Sequence, residues 1–85
     1  MISVKVLTPE GMVFEGPGTS VVVETTDGSI GIWPGHIGLM ALKEKGLIRI
    51  QQDGQSSILD IGPGYTVVEH DRVQLLVESA VNRSS

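Results

Sequence analysis

The sequence predicts an all-β sandwich or barrel. Three observations carry this. Eleven glycines and four prolines punctuate 85 residues at short intervals, which leaves little room for helices of ordinary length. The segments between them are rich in valine and isoleucine, which favour strands. Several of those segments alternate apolar and polar residues with the period of two that a half-buried strand requires.

Taken in order, Ile2 to Leu7 alternates, with Ile2, Val4 and Val6 on one face and Ser3 and Lys5 on the other. Thr8-Pro9-Glu10-Gly11 is a turn, with proline where type I and II turns favour it. Met12 to Glu15 is a short strand ended by Gly16-Pro17-Gly18. Val21, Val22 and Val23 form a continuous apolar run within Ser20 to Thr25, as expected of a strand covered on both faces. Thr26-Asp27-Gly28 turns the chain, Ser29 to Ile32 is briefly extended, and Pro34-Gly35 turns it again. Leu39 to Leu42 is apolar and Lys43-Glu44-Lys45-Gly46 is its charged turn. Ile48 and Ile50 alternate with Leu47 and Arg49. Asp53-Gly54 supplies the positive φ of a tight hairpin. Leu59 and Ile61 alternate with Ile58 and Asp60, Gly62-Pro63-Gly64 interrupts, and Tyr65 to Glu69 is a strand. His70-Asp71 turns the chain into a last strand whose inner face is Val73, Leu75 and Val77. That makes about nine short strands. Residues 1–80 are read as one domain. Residues 81–85 are read as a polar tail, part of a fringe from Ser79 that could begin a turn of helix.

Composition narrows the function classes. A net charge of −4 argues against nucleic acid, which wants a basic stripe, and against an anionic membrane surface. With no cysteine there is neither a disulfide framework nor a thiolate metal site. The opening MISVKVLTPEG has no signal-like apolar run, and no stretch approaches the roughly 18 apolar residues of a spanning helix. Phe14, Trp33 and Tyr65 are the three aromatics, so the core must be aliphatic.

Catalytic groups do not assemble in the sequence. His36 and His70 fall in turns without metal-ligand spacing, no serine sits in a GxSxG elbow, and the acids are scattered. Neither GPG stretch nor GSIGIWPGH has the phosphate-cradling GxxxxGK[ST] form. The expectation is therefore no catalytic residue, no metal and no cofactor. One segment stands out. Ile30, Ile32, Trp33, Ile37 and Leu39 crowd a stretch whose glycines and prolines read as loop. They either plug an open end of the sandwich or contact a partner, and both uses are compatible.

At this segment the chain resembles the epsilon subunit of F-type ATP synthases (delta in mitochondria). GSIGIWPGH, from Gly28 to His36, is similar to that family's G-E-[FL]-G-[IV]-[LY]-P-G-H. VKVLTPEGMVFEG, SVVVETTDG, KEKGLIRI, Gly62 to Val68 and VQLLVESA are similar to other family segments, in order and over nearly the whole chain. The resemblance implies a flattened sandwich of about ten strands. It also implies a non-catalytic rotor part that links the gamma subunit to the polar loops of the c-ring. The protein would lie at the cytoplasmic face of the bacterial inner membrane, or the equivalent coupling membrane, and associate with it only through the complex.

Carried over by residue, the candidate c-ring contact is Gly28, Ser29, Ile30, Gly31, Ile32, Trp33, Pro34, Gly35 and His36. Thr8, Met40 and Leu47 are candidates for the gamma face, with ordinary sheet packing as the competing reading. Ser29 stands where the family usually has an acid that can pair with basic c-ring loops, and Ile37-Gly38 replaces Ala-Pro. Family members usually continue into a pair of helices, and the last residue, Ser85, implies a short form without them. The alternative from another class is a biotinyl or lipoyl carrier domain, which would need Lys43 or Lys45 at a tight hairpin tip, or a small β-rich ligand-binding module.

Overall fold

A computed structural model describes residues 2–26, 28–32 and 38–83. These form ten strands: β1 (Ile2–Thr8), β2 (Gly11–Gly18), β3 (Ser20–Thr25), β4 (Gly28–Ile32), β5 (Gly38–Leu42), β6 (Gly46–Gln52), β7 (Gln55–Ile61), β8 (Gly64–Glu69), β9 (Arg72–Val77) and β10 (Ala80–Asn82). They build two five-stranded sheets. The first has the order β2-β1-β9-β8-β5 and the second β10-β7-β6-β3-β4. Neighbours pair antiparallel except β1 and β9, which run parallel from Ser3↔Arg72 to Leu7↔Leu76.

Period-two alternation sets the inner faces. Ile2, Val4, Val6, Val73, Leu75 and Val77 point inward from the first sheet, and Val21, Val23, Ile48, Ile50, Leu59 and Ile61 from the second. All are buried, and together they form a single aliphatic cluster between the sheets. Each such side chain contributes about 1.5–3 kcal/mol by leaving water. The edge strands β2 and β10 touch one another, which closes that side of the sandwich.

Turn chemistry acts where expected. Asp53 at φ 47° and Gly54 at φ 80° make the two-residue link between Gln52 and Gln55, the type I′ geometry that suits strand twist. His70 at φ 52° opens the link from Glu69 to Arg72. Gly64 lies so close to β9 that a Cβ would stand 2.1 Å from the Leu76 carbonyl oxygen.

Three expectations are corrected. Strand β2 does not stop before Gly16-Pro17-Gly18 but runs through it, with Pro17 opposite Ser3. Proline is tolerated there because β2 is an edge strand with one backbone side unpaired. The valine run is covered on one face, not two: Val21 and Val23 are buried while Val22 is half-buried, facing outward. Finally, residues 80–82 are not a polar fringe or the start of a helix. They form β10, paired with β7 from Ala80↔Ile61 to Asn82↔Leu59, so 81 and 82 belong to the sandwich rather than to a tail. Ala80 lies directly opposite buried Ile61, shares its inward side and packs against the core.

Candidate partner-binding surfaces

The segment from Gly28 to Ile32 is β4, the outer strand of the second sheet. Its residues divide by parity. Ile30 and Ile32 lie opposite Val23 and Val21 and share their inward side, whereas Ser29 and Gly31 lie opposite Glu24 and Val22 and face outward. Ile32 is 3% exposed and belongs to the core, so its side chain is used in packing. Ile30 is 40% exposed despite its inward parity, because an edge strand leaves one flank open. Gly28, at φ 128°, is a turn residue whose carbonyl accepts a hydrogen bond from Thr25 Oγ1 at 3.3 Å. Trp33, Pro34, Gly35 and His36 lie outside the described residues.

The absence of an acid at position 29 has a local physical context. Ser29 is the direct cross-strand neighbour of Glu24. A carboxylate there would face a like charge, which destabilises an antiparallel pair. Glu24 is itself held by Arg49 on β6, Nη2 to Oε2 at 3.4 Å.

Thr8, Met40 and Leu47 do not form one surface. Thr8 ends β1 and organises the hairpin: its Oγ1 accepts from the Glu10 amide at 3.2 Å and donates to the Gly11 carbonyl at 3.2 Å. Met40 lies on the inward side of β5, opposite buried Thr66, and packs against the core. Leu47 faces outward from the second sheet, between Glu24 and Asp60. That face is patterned with charge: Arg83 and Asp60 pair at 3.5 Å beside the Glu24–Arg49 pair.

The outer face of the first sheet carries what the linear reading missed. Met12, Leu7, Leu76, Tyr65 and Ala41 are successive register partners and form one apolar row across all five strands. Met12 is 53%, Leu76 44% and Tyr65 53% exposed, and Leu7 is half-buried between its neighbours. Exposed Leu39, opposite Val67, extends the apolar area along β5 and β8. A groove of about 670 Å³ runs beside the row, lined also by Thr8, Pro9, Lys43 and Pro63. Contiguous exposed apolar area is a general property of surfaces that bind partners. One signal was present in the sequence: Leu7 and Leu76 break the polar side of otherwise alternating strands.

The family model for the ATP synthase delta/epsilon chain β-sandwich domain matches residues 1–83. The chain belongs to this family.

Curated relatives of this delta/epsilon sandwich include the ATP synthase epsilon chain of Synechococcus sp. (strain WH7803). It is 36% identical over 84 residues, covering 99% of this chain and 62% of that one. The ATP synthase epsilon chain of Bacillus subtilis (strain 168) is 33% identical over 79 residues, covering 93% of this chain and 60% of that one. The chain thus spans about three fifths of the length of these relatives. Among solved structures, a chain of the Euglena gracilis mitochondrial ATP synthase (OSCP/F1/c-ring) superposes with a TM-score of 0.80 at 15% identity. That match covers 95% of this chain and 52% of the other. A chain of the Tetrahymena thermophila mitochondrial ATP synthase central stalk and c-ring gives 0.72 at 19% identity, covering 96% and 66%. At these identities the likeness speaks for the fold.

The carrier alternative finds no support in this delta/epsilon sandwich. Lys43 and Lys45 sit in the link from β5 to β6, which belong to different sheets, so they are not the tip of a tight hairpin. Glu44 between them accepts a hydrogen bond from Thr26 Oγ1, tying that link to the end of β3. Among the described residues no three His, Asp or Glu side chains gather as a metal site. No helix among them is long and apolar enough to cross a membrane.

Proposed function

We propose that this delta/epsilon sandwich is a non-catalytic rotor part of a proton-translocating F-type ATP synthase, linking a gamma subunit to the polar loops of the c-ring. In this reading the outer face of the first sheet receives gamma. The observation that carries it is the row Met12–Leu7–Leu76–Tyr65, which presents methionine, leucine and tyrosine in register on the exposed face of the sheet. Burying that row against a partner removes apolar area from water at about 25 cal/mol per Å². Thr8 stays in the gamma contact because it lines the adjoining groove, while Met40 and Leu47 fall outside it.

The c-ring contact is assigned to Gly28 through His36. With Ser29 in place of an acid, it works through backbone groups and apolar packing rather than an ion pair. The protein sits at the coupling membrane as a peripheral subunit, at the cytoplasmic face in a bacterium, held there through the complex. It hydrolyses no ATP alone and transmits torque between the ring and the catalytic head.

Co-purification with a tagged gamma subunit tests the reading, with Leu76→Asp as the comparison. Retention of the unaltered chain and loss of the variant are expected. Recovery of the unaltered chain at background level would sink the assignment.

A further inference from the structure

We draw no further inference here: the strongest candidate, the apolar row from Met12 to Tyr65 with its groove on the outer face of the first sheet, belongs to the partner surface already described, and nothing in the structure points to a second occupant for it.

Discussion

Leu7 on β1 and Leu76 on β9 are register partners in a parallel pair and stand side by side on the outside of the sandwich. The residues just before them, Val6 and Leu75, are also partners, yet both are fully buried. One step along the pleat therefore separates a core position from one on the exposed face proposed to receive gamma. Leu76→Asp is expected to lower gamma affinity at least about tenfold, the effect of removing a central apolar anchor, with little change in the thermal midpoint. Leu75→Ala is expected to cost about 2–5 kcal/mol of folding stability by opening a cavity. Binding by calorimetry and urea unfolding would separate the two. Full-strength gamma binding by Leu76→Asp would move the contact elsewhere.

The two isoleucines of β4 make a similar contrast inside the motif. Ile32→Ala should destabilise the fold by about 2–5 kcal/mol, because the side chain is almost wholly enclosed. Ile30→Ala, at a position 40% exposed, should cost clearly less. Equal losses in urea unfolding would show that Ile30 is as firmly packed as Ile32, leaving less of it for a partner.

Restoring the acid at position 29 tests the role of Glu24. Ser29→Glu places like charges on directly opposed residues and should cost about 0.2–1 kcal/mol. Because both groups meet solvent, added salt should reduce the loss. Combining it with Glu24→Gln should remove the repulsion. A loss unaffected by either treatment would mean that the substitution acts through backbone or packing instead.

Thr66 is fully buried on the inner face of β8, and its hydroxyl has no hydrogen-bond partner among the described residues. Thr66→Val keeps the shape and removes an unsatisfied polar group, so a gain of about 1 kcal/mol is expected. In a domain this small that corresponds to about 4–8 °C in thermal midpoint. A loss of stability would show that the hydroxyl is satisfied in solution.

Removing residues 80–83 should destabilise the sandwich by about 2–4 kcal/mol, since several backbone bonds and the covering of Ala80 go together. One of those bonds is the Arg83 amide to the Ile58 carbonyl at 2.7 Å. Breaking the exposed Arg83–Asp60 ion pair alone, by Asp60→Asn, should change stability by less than about 1 kcal/mol. Chemical denaturation of both variants would show whether the strand or the charge matters.

Alternation by itself determined the inner faces of β1 and β9, because a strand repeats every two residues and needs no knowledge of its neighbours. Asp53-Gly54 was equally legible, since positive φ is a property of the residues in the turn. Gly28 to His36 could be singled out in the sequence, but not the division within β4 that sends Ile32 to the core and Ser29 to the surface. The path of β2 through Pro17 depended on β2 being an edge, and the strand at Ala80–Asn82 on the presence of β7 to pair with. The row across the first sheet was the least legible feature. Met12, Leu7, Leu76, Tyr65 and Ala41 come from five separate strands, and one of their links is a parallel pairing between the first strand and the ninth. Register between distant strands is decided by how the whole core packs, so only the tertiary structure could turn these scattered side chains into one surface.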